Sequence, residues 1–308
     1  MQLSRNYEMI GLFSEENLVV KVKSEGTDER YGCRPEKRAI SEHIKLGCIN
    51  LDKPSGPTSH QVTAWVKNIL NIEKAGHGGT LDPKVTGVLP IALSDATKAL
   101  QAFLYGTKEY VGIMRMHRDV SEETIKKICS QFVGEIEQLP PVRAAVKRRL
   151  RKRKIYSLEL LEIEKRCALF KVVCQAGTYV RTLVHQIGKK LGGAHLEELR
   201  RTSVCNFEES NAITLHHLKD SYVEYKESGD EKELRKTILP FEKMILHLPK
   251  IIVRDSAVDA ICHGANLAIP GVVKFDKNIE KGSAVAIFSL KHEAIALGKS
   301  LLNSKELL

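Results

Sequence analysis

The sequence predicts an α+β fold, a mixed and mostly antiparallel sheet with helices on its faces, followed by a small β-rich module. Three observations carry this. Residues 108–116, 155–163 and 168–175 alternate with the two-residue period of half-buried strands. Residues 58–70, 121–132 and 177–191 place apolar side chains at helical spacing. From Leu248 the texture changes to short pieces punctuated by Gly and Pro, a module of about 60 residues near the lower limit for independent folding. The predicted division is 1–46 as an N-terminal extension holding one or two strands and a short helix, 47–247 as the main domain and 248–308 as the module.

Along the chain, Cys48–Leu51 reads as a short strand and Pro54-Ser55-Gly56-Pro57 as a loop. Thr58 caps a helix, with Gln61 completing a capping box, and Val62, Trp65, Val66, Ile69 and Leu70 form its buried face. A loop rich in glycine follows at 76–83. A second helix starts after Ser121, has Glu122 and Glu123 in its first turn, buries Ile125, Ile128 and Phe132, and stops at Gly134. Gly177-Thr178 opens a third helix, with Val180, Leu183, Val184, Ile187 and Leu191 on one face, ended by Gly192-Gly193. In the module, Ile251–Val253 reads as a strand and Ser256–Cys262 as a brief helix.

The 308 residues are 43% hydrophobic and 28% charged, ordinary values for a globular protein. No apolar run approaches the roughly 18 residues of a membrane helix. Glu8, Glu15 and Glu16 keep the N-terminus from reading as a signal peptide. Seven scattered cysteines without a C-x-x-C pair suggest reduced thiols in a cytosolic setting, with no metal site. The net charge of +10 is concentrated: eight of the twelve residues from Arg143 to Lys154 are Lys or Arg, and removing them leaves +2. These are Arg143, Lys147, Arg148, Arg149, Arg151, Lys152, Arg153 and Lys154. Such a cluster repels itself and suits a polyanion better than a merely solvated face.

The loop Gly76-His77-Gly78-Gly79-Thr80-Leu81-Asp82-Pro83 is the most informative segment. Its glycines permit tight turns, and Pro83 pushes Asp82 into an extended conformation. On physics alone Asp82 is either a reactive carboxylate or the N-cap of a helix with Pro83 at its first position, and capping is the commoner job. The spacing of a phosphate-binding P-loop is absent. Arg181 falls between the apolar positions of its helix, as a solvent-facing arginine would. Tyr110 lies on an alternating strand, where a packed aromatic is the ordinary reading, and His77 could be a simple loop donor.

Taken in order, Lys53-Pro54-Ser55-Gly56-Pro57-Thr58-Ser59, the 76–83 loop with Gly87, Leu89 and Pro90, Lys108-Glu109-Tyr110, Gly177–Leu183 and Leu199-Arg200-Arg201-Thr202 resemble the TruB superfamily of pseudouridine synthases. Pro140–Arg148 with the basic run resembles its archaeal and eukaryotic branch, the RNA-guided enzymes of H/ACA ribonucleoproteins (the dyskerin family). Asp255–Ala265 is similar to that branch's PUA domain, an RNA-binding module expected to be β-barrel-like. The resemblance covers residues 30–305. One departure is Gly78, where many members carry serine or alanine. The stretch 120–165 and the lack of a lysine-rich tail resemble archaeal members.

The resemblance implies an isomerase that converts uridine to pseudouridine in rRNA or tRNA with no cofactor and no metal. Asp82 matches the family's essential aspartate, as nucleophile or as base toward the sugar; both remain open. Arg181 matches the arginine paired with it, and Tyr110 the tyrosine that stacks on the flipped base. Tyr179 and Leu199 are expected to line the pocket, Lys53 and His77 to contact RNA, and the 143–154 run, His263 and Gly264 to bind RNA. Only His117–Val120 separates the Tyr110 strand from the next helix, and the basic run passes directly into a strand, so the insertions that let stand-alone relatives grip RNA are short here. That favours an H/ACA guide RNA with small companion proteins, in the archaeal cytoplasm or a eukaryotic nucleolus. The alternatives are a guide-independent enzyme of the tRNA T-loop and a noncatalytic RNA scaffold, which would need none of Asp82, Tyr110 and Arg181. Neither a methyltransferase glycine loop nor a zinc-deaminase signature is present.

Overall fold

A computed structural model describes residues 15–141 and 147–308. The first elements are β1 (Leu18–Val20), α1 (Ile40–Lys45), β2 (Gly47–Lys53), α2 (Ser59–Leu70), β3 (Ala75–His77), β4 (Thr86–Leu93) and β5 (Thr107–Met116). They are followed by α3 (Glu122–Ser130), β6 (Gly134–Gln138), β7 (Arg151–Glu164), β8 (Cys167–Gln175), α4 (Val180–Leu191), β9 (Ala194–Val204) and β10 (Phe207–Glu208). The last are α5 (Leu215–Ser228), α6 (Lys232–Thr237), β11 (Leu239–Pro240), β12 (Lys250–Val253), α7 (Asp255–Cys262), β13 (Val272–Asp276), β14 (Ala284–Phe288) and β15 (Ala294–Lys299). Two compact units result. One runs from Ile49 to Thr237, and the other joins the chain up to Cys48 with the chain from Ile238 on.

The Ile49–Thr237 unit is built on a mixed sheet in the order β2-β4-β9-β5-β8-β7-β6, with β3 paired to β4 and β10 to β9. The pair β4–β9 is parallel; β5 pairs antiparallel with both β8 and β9. This is the mixed, mostly antiparallel sheet the sequence predicts. The capping box of Thr58 and Gln61 starts α2, and Val62, Val66 and Leu70 are its buried stripe. Trp65 departs from expectation: it is exposed at the edge of that stripe. In α4 all five predicted positions are buried, and Gly192 ends the helix in a left-handed conformation. Helix α3 ends at Ser130, and Gly134, read as its stop, begins β6 instead. Strand β7 begins at Arg151, inside the basic run, because Gln138, Ile136 and their neighbours on β6 pair with it from Arg151 to Ile155.

The second unit holds a five-stranded sheet in the order β1-β13-β12-β14-β15, with β12–β14 parallel. Its core is Ile251, Val253, Val272, Phe275, Val285, Ile287 and their neighbours. Among the described residues this sheet is an open path and does not close into the barrel expected. The segment read as an N-terminal extension supplies its edge strand, Val19 lying opposite Phe275. It also supplies Arg38, whose buried guanidinium meets the buried Glu242 carboxylate at 2.5 and 3.0 Å. Among the described residues no helix is long and apolar enough to cross a membrane.

Candidate functional site

Asp82 does not cap a helix. Its carbonyl accepts from Val85 N–H at 3.0 Å, and the chain turns straight into β4. Gly87 explains why. Its φ is +101°, and a Cβ there would collide with the Arg201 backbone, so β4 can pair closely with β9 only with glycine at this point. The turn is fixed from below by polar side chains. Buried Ser59 accepts from Leu81 N–H at 2.8 Å and donates to Leu81 C=O at 3.1 Å. Lys53, 0% exposed, donates to the carbonyls of Pro54 (2.8 Å), Pro83 (3.0 Å) and Val85 (2.9 Å). Arg201, 1% exposed, donates to the carbonyls of Val88 (2.7 Å) and Gly79 (3.1 Å). Lys53, expected to contact RNA, spends its ammonium on the loop backbone in this structure.

Above this frame the Asp82 carboxylate stands in solvent, its side chain 52% exposed, in an ion pair with Arg181, whose side chain is 61% exposed. Arg181 occupies the second position of α4. The helix dipole disfavours a cation there, and the Asp82 carboxylate restores negative charge to that end. Tyr110 is buried on β5 opposite Arg201 on β9. Burial pushes its hydroxyl above the ordinary tyrosine range, the Asp82 charge pushes the same way, and Arg201 opposes both. Leu199, two residues before Arg201 on the same face of β9, is half-buried across from Gly112. A Cβ on Gly112 would come within 2.9 Å of it. Tyr179 is half-buried at the N-cap of α4.

His77 ends β3, edge-on to His60 at 5.0 Å between ring centres. Its Nδ1 is buried without a partner, and burial first, then His60 and Arg201, hold the ring below the usual histidine range. Gly78 lies against the Phe103 ring, which a Cβ would approach to 2.7 Å. Lys108, on the face of β5 that carries Tyr110, is also buried. Desolvation and the neighbouring Arg201 push its ammonium down to about 8.

The basic run divides by strand parity. Arg151 and Arg153 are half-buried, with buried Nε groups that lack partners and outer nitrogens that bond the carbonyls of Lys147 and Lys152. Lys152 pairs with Glu135 at 2.8 Å and Lys154 sits over the Tyr156 ring at 5.4 Å. Lys147, Arg148 and Arg149 are exposed, and Arg143 lies outside the described residues. In the other unit, His263 caps α7 and Gly264 follows with φ +90°. The structure thus brings Asp82, Arg181 and Tyr110 to one place and leaves His77 at its margin. The sequence does not point to Ser59, Arg201 or Gln138 as site residues. A buried arginine on a strand is unusual enough to flag Arg201, whereas Ser59 and Gln138 carry no local signal.

Sequence profiles match four stretches: a DKCLD (NUC011) domain over 9–63, the TruB family pseudouridylate synthase N-terminal domain over 67–180, the tRNA pseudouridylate synthase B C-terminal domain over 181–246 and a PUA domain over 249–308. The chain is 57% identical to a "Probable tRNA pseudouridine synthase B" of Methanopyrus kandleri, over 96% of this chain and 87% of that one. It is 54% identical to the protein of the same name from Methanocaldococcus jannaschii, over 96% and 88%. Among solved structures it is similar to a Cbf5-Nop10-Gar1 complex (TM-score 0.89, 55% identity, 94% of this chain and 89% of that chain). It is also similar to an H/ACA RNP bound to a substrate RNA containing 2'-deoxyuridine (0.87, 52%, 94% and 89%).

Two outcomes follow from the frame beneath Asp82. Ser59→Ala leaves the buried Leu81 N–H without an acceptor, and urea unfolding should show a loss of about 1–3 kcal/mol. Lys108, depressed in the folded state, binds a proton more readily when unfolded, so its cost to stability shrinks as pH rises from about 8 toward its ordinary 10.5. The thiols of buried Cys174 and half-buried Cys205, pushed up by desolvation to about 11 and about 12, act in the opposite sense. The clean test is therefore Lys108→Met against wild type. Between pH 7.5 and 9.5 the stability difference should move toward wild type by about 2 kcal/mol, and no movement would mean that Lys108 titrates normally.

Proposed function

The chain belongs to the TruB family of pseudouridine synthases, and from that premise we propose that Asp82, Arg181 and Tyr110 form its reacting centre in an H/ACA guide-RNA ribonucleoprotein acting on rRNA. The enzyme isomerises uridine in RNA: the C1'–N1 bond breaks, the uracil turns, a C1'–C5 bond forms, the C5 proton leaves to solvent and N1 gains one. The observation that carries the assignment is an exposed carboxylate, Asp82, presented by a rigid buried turn and ion-paired with Arg181. The cation favours the ionised carboxylate and orients it, whether it attacks the sugar or removes a proton from it.

A base inside folded RNA must be extruded, at a cost of a few kcal/mol. Tyr110 supplies an aromatic platform, and stacking returns about 1–3 kcal/mol. Tyr179 and Leu199 flank it, and His77, held neutral, meets the RNA at the margin. Buried Lys53, Lys108 and Arg201 beneath the loop create a positive field suited to the charge that develops on the departing uracil. Arg143, Lys147, Arg148, Arg149 and the β7 residues Arg151–Lys154 hold phosphates, and the His263-Gly264 end of α7 binds RNA from the 248–308 module, with 47–247 as the catalytic domain. Companion proteins and guide RNA are proposed because the chain resembles one chain of a Cbf5-Nop10-Gar1 complex and one of an H/ACA RNP bound to substrate RNA, over 89% of each of those chains. The proposed setting is the archaeal cytoplasm, the similar proteins being from archaea. The curated relatives carry the name tRNA pseudouridine synthase B, which favours a second reading, direct action on the T-loop uridine of tRNA.

The deciding assay is tritium release from 5-tritiated uridine in an rRNA fragment and in bare tRNA, with and without guide RNA and companion proteins. Release from the fragment that needs the guide supports the ribonucleoprotein. Equal release from bare tRNA would move the assignment to a stand-alone tRNA enzyme.

A further inference from the structure

We propose that Gln138 is a positioning residue that sets Arg181 against Asp82; the inference rests on the roles just given to those two residues. Helix α4 needs external support where it begins. Its N-cap, Tyr179, offers no side-chain acceptor, and the first turn contains no acidic residue. Its second position is Arg181, a cation at the end of the helix that the dipole makes unfavourable for one. Such a turn depends on partners outside the helix to hold it.

Buried Gln138, the last residue of β6, grips the backbone of Tyr179 from both sides. Its Oε1 accepts from Tyr179 N–H at 2.9 Å, and its Nε2 donates to Tyr179 C=O at 3.1 Å. The same carbonyl receives the first helical hydrogen bond, from Leu183 N–H at 3.0 Å. The amide thus holds the N-cap residue by both its N–H and its C=O, and so fixes the direction in which α4 starts. Gln186, about two turns further on, returns a bond to the Glu137 carbonyl at 2.8 Å, so helix and strand are tied twice.

The neighbouring strand adds a third hold. Arg153 on β7 lies flat on Gly177, whose φ is +81° and whose absent Cβ would come within 3.1 Å of the guanidinium. Both strands of the hairpin that carries the basic run therefore seat the segment 177–181. Gln138 touches it through a side chain with no charge of its own to offer RNA, which separates positioning from phosphate binding.

The test uses the full chain assembled with guide RNA and companion proteins, with single-turnover tritium release, RNA affinity by filter binding and thermal unfolding measured on each variant. Gln138→Met keeps the volume and removes the amide. It should slow release by about 10- to 100-fold, the size of effect a misplaced catalytic group produces, with RNA affinity within about 2-fold. Placed on Arg181→Lys, it should cost less than about 2-fold more, because residues that act through one another are not additive. Gln138→Glu, which accepts from Tyr179 N–H but faces its carbonyl with another acceptor, should fall between and serves if the Met variant folds poorly. Full-speed release by both variants, or an equal loss in both backgrounds, would overturn the proposal. If Arg181→Lys itself is as fast as wild type, the role given to Arg181 fails instead.

Discussion

Three buried side chains, Lys53, Ser59 and Arg201, hold the backbone that ends in Asp82, and the rest of the site depends on that hold. Together they make seven hydrogen bonds to main-chain groups of the loop and its flanks. A turn pinned by apolar packing alone would leave those carbonyls and the Leu81 N–H unsatisfied in the interior, at about 1–3 kcal/mol each. Buried lysine and arginine are themselves costly without partners. Here the cost of each cation and the need of each carbonyl offset one another. The outcome is a rigid polar floor with an exposed carboxylate above it, a geometry in which Asp82 can approach a sugar without itself being desolvated in the free protein.

The sheet places the other members. Antiparallel pairing of β5 with β9 sets Tyr110 opposite Arg201 and Gly112 opposite Leu199, so an aromatic, a cation and a leucine packed over a glycine follow one another along the pair. The parallel step from β4 to β9 brings the Asp82 turn to the edge of that face, and glycine at 87 makes the approach possible. Helix α4 contributes Arg181 from the far side. No single element owns the site. It is assembled at the point where a loop, two strands and a helix N-terminus meet, and small shifts in any of them would alter the Asp82–Arg181 pair.

Much of this architecture is legible in the amino-acid order alone. The apolar stripe of α4, the capping box of α2 and the strand period of β5 are local signals, and each is found where its periodicity places it. The ordered motifs locate Asp82, Tyr110 and Arg181. Other features depend on contacts distant in sequence. Nothing near Asp82 says whether Pro83 begins a helix or a turn into a strand; that is decided by Arg201, 119 residues on, accepting only glycine at 87. Lys53 is expected to contact RNA from the family resemblance of its motif, and only the three carbonyls around it reveal a clamp. Trp65 fits a helical stripe by spacing, but the stripe is narrower than the spacing suggests. The C-terminal module's strands are readable, whereas its open sheet, completed by β1 from the opposite end of the chain, is not.

In the function proposed above, the fixed turn presents one carboxylate to the target uridine. The most direct measurement is single-turnover tritium release by Asp82→Asn, which keeps the size and the turn but removes the charge, alongside its RNA affinity. The account predicts that release disappears while affinity and thermal stability stay near wild type. Release at a wild-type rate would contradict it, and would place the chemistry on another group.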